Sequence, residues 1–208
     1  MVNLPKSCLV DKFIPKGKFY EKSNINSRLK NEFIDKIKRI TWKYKLSEES
    51  IGVVKDKDII EVEIFEIELK NMEIPKNVLE IIDKSIPYMI LYKFMYRDNF
   101  CYGIALKKGK KVDKYYFSNW NEEINFEFNG KDLKVVYQNI VKKFIKREID
   151  FSLDFEKIIE IDNKMARIEK EILILENKMK KEKQFKRKAE LHKQIKELNN
   201  EIEKIRLG

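Results

Sequence analysis

One histidine and two cysteines in 208 residues leave little material for several familiar chemistries. His192 lies within a C-terminal apolar repeat and has no triad-type partner near it, which argues against a histidine-based active site. Cys8 and Cys101 stand far apart without metal-type spacing, which excludes a zinc ribbon or a disulfide framework; they read as small hydrophobes rather than nucleophiles. There is no Gly-rich phosphate loop and no G-x-S-x-G. No apolar run approaches the roughly 20 residues of a membrane span. Lys6, Asp11 and Lys12 interrupt the stretch where a signal peptide would need apolar residues, so a soluble, cytoplasmic protein with no membrane partner is expected.

Helix breakers are also scarce, and their placement divides the chain. Pro5, Pro15, Pro75 and Pro87 all fall in the first 87 residues, and no Gly or Pro occurs between Lys131 and Leu207. Charge is abundant, with 45 Lys+Arg against 35 Asp+Glu, and residues 1–50 hold 12 basic and 6 acidic residues. Such a balance suits long solvated helices around one core-bearing domain and points to anionic partners. The expected organisation is an extended arm over 1–26, an α+β core domain over 27–150 and a coiled-coil or helical hairpin over 151–208.

In the arm, Phe13, Phe19 and Tyr20 are the candidate anchors. Ser27 can cap a helix to Arg39 whose apolar positions Leu29, Phe33, Ile37 and Ile40 follow the helical period. ITWKYKL then alternates, placing Lys43 and Lys45 on the outer face of a strand. After the short apolar run Ile51 to Val54 comes the long strand IIEVEIFEIELK, whose apolar phase slips at Ile64-Phe65, as a bulge would cause. Pro75 opens a helix carrying Val78, Leu79, Ile82 and Ile86. YMILYKFMY, FCYGIALKK and VDKYYFSNW form a meander, INFEF a last strand, and Asp132 caps another helix. The sheet is mixed, with about five strands. The expected core includes Phe33, Ile37, Trp42, Ile64, Ile67, Val78, Ile82, Ile90, Leu91, Ile104 and Phe117.

From Ile158 the spacing alternates three and four through Ile161, Met165, Ile168, Ile172, Leu175 and Met179. The phase fails at Glu182 and Lys186 and returns in a new frame at Leu191, Ile195, Leu198, Ile202 and Ile205. Either one long helix pairs with a second copy as a homodimer, or two helices of about 20 residues fold back near Lys180–Phe185, each about 30–35 Å long.

Two constellations could carry function. Seven of the eleven residues Lys178 to Lys188 are basic, namely Lys178, Lys180, Lys181, Lys183, Lys186, Arg187 and Lys188. Such density suits neutralisation of DNA or RNA phosphates, with Lys43 and Lys45 as a second surface; the plainer reading is a solvated helical face. Phe185, the one aromatic residue in the tract, reads as packing inward, and Trp42, Tyr44, Tyr115, Tyr116, Phe117 and Trp120 as core rather than a stacking platform. The second constellation is Glu68-Leu69-Lys70. A helix, strand, short strand, long strand ending in E-x-K, helix and strand resembles the core of the PD-(D/E)xK nucleases. The resemblance implies Mg²⁺ on Glu68 and Asp58 or Asp56, with Lys70 as the catalytic lysine. Equally, Glu61, Glu63, Glu66 and Glu68 can be the polar face of a half-exposed strand. Outside this alternative no cofactor is called for.

Trp42 with Tyr44-Lys45-Leu46-Ser47, Phe65-Glu66-Ile67 with Leu69-Lys70, Ile82-Asp83-Lys84 with Ile86-Pro87, and Glu182-Lys183-Gln184-Phe185 resemble the bacterial family known as domain of unknown function 4391. The similarity covers nearly the whole chain. It implies a DNA-directed accessory role beside a larger helicase or DNA-methyltransferase type protein in restriction-like or phage-defence loci. The charge, the coiled segment and the missing motifs make a non-catalytic module the expected form, with the Mg²⁺-dependent nuclease as the alternative.

Overall fold

The computed structural model describes residues 4–22 and 25–207, and the chain divides into two compact units, 1–144 and 145–208. The first is built on a mixed six-stranded sheet whose spatial order follows the chain: β1 (Leu9–Phe13), β2 (Ile37–Leu46), β3 (Val62–Leu69), β4 (Met89–Tyr96), β5 (Asn99–Lys108) and β6 (Lys111–Phe117). The helices of this unit are α1 (Gly17–Lys22), α2 (Ser27–Lys36), the single turn α3 (Glu48–Ile51), α4 (Lys76–Ser85) and α5 (Leu133–Lys142). Only β3 and β4 run parallel, because α4 returns the chain between them.

Phe65, Ile67 and Leu69 of β3 pack with Ile90, Tyr92 and Phe94 of β4 against Val78, Leu79 and Ile82 of α4, and α2 adds Phe33. Each such burial stabilises the fold by about 1.5–3 kcal/mol. All the expected core residues are buried except Trp42 and Phe117, which are half-buried against that cluster.

The fold is the expected α+β class with one strand more than anticipated. The extra strand lies in the N-terminal arm, where Leu9–Phe13 pairs antiparallel with β2 and α1 follows, so the arm is not simply extended. Phe19 anchors it in the core, while Phe13 stays exposed with its ring under the Arg39 guanidinium. The parts of the arm at 1–3 and 23–24 lie outside the described residues. The first helix ends at Lys36 rather than Arg39, since Ile37 pairs with Leu69 and extends β2 backward.

Register breaks at the expected step, but the extra residue is on the other strand. Trp42 and Tyr44 of β2 face the consecutive residues Phe65 and Ile64, leaving Lys43 as the insertion, while β3 pairs with β4 without a break. The apolar phase slips because β3 is buried on both faces at its centre. INFEF is not a strand. Its side chains alternate in burial and Phe126 packs on Tyr102 and Phe144, but no ladder partner is present among the described residues.

The second unit is a helical hairpin of α6 (Phe155–Lys181) and α7 (Phe185–Leu207), about 40 and 34 Å long at 1.5 Å per residue. The heptad stripe closes within the chain: Met165, Ile168 and Ile202 form the buried centre, flanked by Ile161, Ile172, Leu198 and Ile205. Lys164 bridges to Glu201 across the pair at 3.0 Å. Arg147 ties the preceding segment to α6 through the buried Asp162 and through Glu169. The continuous-helix alternative fails at Glu182, whose backbone is extended. Its carboxylate accepts the Lys183 and Gln184 amides at 2.8 Å each and makes the turn without Gly or Pro. Those bonds hold the carboxyl below the usual glutamate range.

Candidate functional site

The turn between α6 and α7 gathers the basic tract at one end of the hairpin. Lys178, Lys180 and Lys181 occupy the last turn of α6, where cations complement the helix macrodipole. Lys186, Arg187 and Lys188 crowd the start of α7, which has no acidic residue in its first turn. Cations there oppose the positive end of the dipole, so sequence and local electrostatics conflict. The one acid of the tract, Glu182, has its carboxylate engaged by the turn's own amides. Among the described residues, none of Lys178, Lys180, Lys181, Lys183, Lys186, Arg187 and Lys188 forms an ion pair, and all seven are exposed. Beside the tip the helices leave an open cleft lined by Lys178, Lys181 and Arg187 together with Glu182, Glu190, Leu191 and Gln194. Phe185 does not pack inward. It is the first residue of α7, faces no neighbouring element and is 87% exposed.

Lys43 and Lys45 differ from the tip in that both hold carboxylates. Lys43 reaches Asp11 at 2.7 Å, a bond that raises its pKa, and Lys45 reaches Glu61 at 3.5 Å. The aromatic set read as core is structural: Tyr115 stacks on Phe117, Tyr116 is buried, and the Trp42 indole donates to the Tyr44 carbonyl.

The E-x-K constellation is not brought together with its acids. Asp56 and Asp58 occupy a turn before β3, where the Asp56 carboxylate accepts the Asp58 amide at 2.9 Å. Glu68 stands near the opposite end of β3, about 20 Å along a strand rising 3.3 Å per residue, and pairs with Lys38 at 2.9 Å. Lys70 is exposed just beyond it. The run Ile51–Val54 forms no strand, its first residue ending α3, so α2 and α4 enclose two strands where the nuclease-like order needs three. Among the described residues no group of three or more His, Cys, Asp or Glu could hold a metal ion. The residues present do not fit a Mg²⁺ site. His192 is exposed on α7, and both cysteines are buried, the Cys101 thiol being pushed up to about 12 by burial. None of the helices among the described residues is long and apolar enough to cross a membrane.

Comparison with known proteins gives one family: the model for Domain of unknown function (DUF4391) matches residues 2–202. The chain belongs to the DUF4391 family. No curated protein and no solved structure matches it.

This DUF4391 chain also contains a buried polar cluster that pattern reading missed. Asp83 in the last turn of α4 and Lys107 of β5 form an ion pair, and Asp83 Oδ2 accepts the hydroxyls of Tyr92 (3.0 Å) and Tyr115 (2.7 Å). The Lys107 ammonium also donates to the carbonyls of Asp83 (3.3 Å) and Ile86 (3.0 Å), capping the helix end where a cation is favoured. Burial lowers the Lys107 pKa against the pull of Asp83, and burial with the Asp83 charge raises those of Tyr92 and Tyr115. Glu63, on the same sheet face, is pushed up to about 7 by burial, then by Glu61, against Lys107 and Lys45. Tyr137 of α5 closes the register break at Leu106/Lys107, donating to the Ala105 carbonyl at 2.7 Å and accepting the Lys107 amide at 3.3 Å. The Asp83 and Lys107 side chains have no solvent exposure, so the cluster fastens α4, α5 and the sheet rather than meeting a substrate. Its signal was Asp83 falling on the apolar stripe of Leu79, Ile82 and Ile86.

Proposed function

We propose that this DUF4391 protein is a non-catalytic accessory component of a DNA-processing, restriction-like or phage-defence system in the cytoplasm. It docks on a larger helicase- or methyltransferase-type protein and contacts DNA or RNA through phosphates at the hairpin tip. The observation that carries the nucleic-acid contact is the set of seven exposed cations without ion-pair partners, three of them placed against the α7 dipole. An anion resting there relieves the local conflict and releases counterions from the polymer. The helicase or methyltransferase partner is the expectation carried by the family resemblance.

The test is the salt dependence of oligonucleotide binding. Replacing Lys180, Lys181, Lys183, Lys186, Arg187 and Lys188 by Gln is expected to shrink the slope of log K against log salt by about 0.9 for every lost duplex phosphate contact. No retention of DNA or RNA by the unmodified protein at about 50 mM salt, where phosphate-driven binding is strong, would end the direct-binding reading. Recovery of co-purifying proteins from the native source addresses the partner separately.

A further inference from the structure

Phosphate neutralisation needs cations but no aromatic ring, yet the most exposed large apolar side chain of the described residues sits in the middle of this tract. Phe185 is 87% exposed, whereas the next largest value among them is 55%, at Leu173. The ring stands at the head of α7, two positions after Lys183 and directly before Lys186, Arg187 and Lys188, so it shares the tip with these cations although successive side chains of α7 fan out around the helix. Base faces stack on aromatic rings irrespective of sequence, but in an intact duplex they are covered by their neighbours. The open cleft beside the tip sets Lys178, Lys181 and Arg187 among Glu182, Glu190, Leu191 and Gln194, so its walls are mixed in charge and the phosphates fall to the exposed cations of the tip itself. Glu182 is the single carboxylate among the seven cations of Lys178 to Lys188, so the local field stays positive.

We infer that the hairpin tip takes single-stranded nucleic acid, with an unpaired base stacked on Phe185 and the adjoining phosphates on the surrounding cations. This rests on the nucleic-acid reading above and adds to it a strand type and a stacking residue. It assigns the ring and the charges separate tasks, so they are separable by experiment.

The experiment compares the full-length protein with Phe185→Ala and Phe185→Trp, using fluorescence anisotropy on a 20-nucleotide oligo(dT) and on a blunt duplex of the same length. Circular dichroism of each variant should match the parent, since Phe185 supports no neighbour. Phe185→Ala should weaken oligo(dT) binding by about 5- to 150-fold, the equivalent of one base–aromatic stack, with the salt slope unaltered and the duplex little affected. Phe185→Trp should retain affinity, and its added emission should be quenched by oligo(dT) but not by duplex. If Phe185→Ala binds oligo(dT) as the parent does, or loses both ligands equally, the stacking inference is overturned while phosphate binding stands. If the parent binds neither oligonucleotide, both readings fall. Capture by phosphatidylserine vesicles that Phe185→Ala abolishes, without oligonucleotide binding, would show a lipid-facing tip and also overturn the inference.

Discussion

Lys107 Nζ lies 3.0 Å from Asp83 Oδ1, and neither side chain has any exposure to solvent. The ammonium also donates to the Asp83 and Ile86 carbonyls, while Asp83 Oδ2 takes both tyrosine hydroxyls. A charge pair enclosed in this way is costly to break from one side.

Asp83→Asn leaves the ammonium without its counter-charge, and Lys107→Met leaves the carboxylate with only its two hydroxyl donors. Each should destabilise the first unit by about 3–5 kcal/mol in urea melts, the usual cost of an orphaned buried charge. The double variant should recover much of that loss, because no unpaired charge then remains. Additive losses would show that the two groups act independently.

Glu63 gives a pH dependence whose sign is opposite to that of most carboxyls. Its pKa is raised from 4.5 to about 7, so the folded state binds the proton more tightly than the unfolded state. Stability should therefore fall as pH rises between about 4.5 and 7, by on the order of 3 kcal/mol at most, since every tenfold gain in proton affinity on folding corresponds to about 1.4 kcal/mol. Glu63→Gln should remove that slope in melts taken across this range and raise stability at pH 8. An unchanged slope would place its origin elsewhere.

Gly103 is fixed by its neighbours. A Cβ there would meet the Phe117 ring at 2.7 Å and the Phe94 ring at 3.0 Å, and both rings belong to the aromatic layer over the sheet. Gly103→Ala should cost about 1–3 kcal/mol, the range for overpacking a filled core. Phe117→Leu beside it should restore part of the loss if ring contact is the cause.

These positions show what the sequence made legible and what it did not. Apolar period revealed the α4 stripe, the β4–β5–β6 meander and both frames of the hairpin, because burial repeats at fixed spacing in each. It assigned the slip at Ile64-Phe65 to the wrong strand, because a strand covered on both faces loses alternation without losing register. INFEF alternated as a strand does, yet period two reports facing and not pairing. Asp83, Lys107, Tyr92 and Tyr115 come from separate elements of the chain, and only the fold brings them to one point. At the tip, charge density was plain in the sequence. The freedom of those charges was not, because it depends on Glu182 bonding its own turn and on Phe185 finding no facing surface.

The two basic surfaces should respond differently to loss of charge. Lys43 and Lys45 are engaged with Asp11 and Glu61, so replacing both by Gln should lower stability slightly and leave the salt slope of nucleic-acid binding unchanged. Lys186, Arg187 and Lys188 oppose the α7 dipole, so replacing these three by Gln should raise the melting temperature at low salt, an advantage that salt screening removes. The same triple variant should reduce the salt slope by about 2 on single strands or about 3 on duplex if all three contact phosphate, at about 0.7 and about 0.9 per contact. A gain in stability joined to a loss of binding is the pattern of charges held at a local cost for a ligand. If the triple variant melts lower than the parent, the cations stabilise the hairpin and the conflict with the dipole is not what places them there. If it melts higher yet binds with an unchanged slope, the phosphates are held by Lys178, Lys180, Lys181 and Lys183 on the α6 side and the turn.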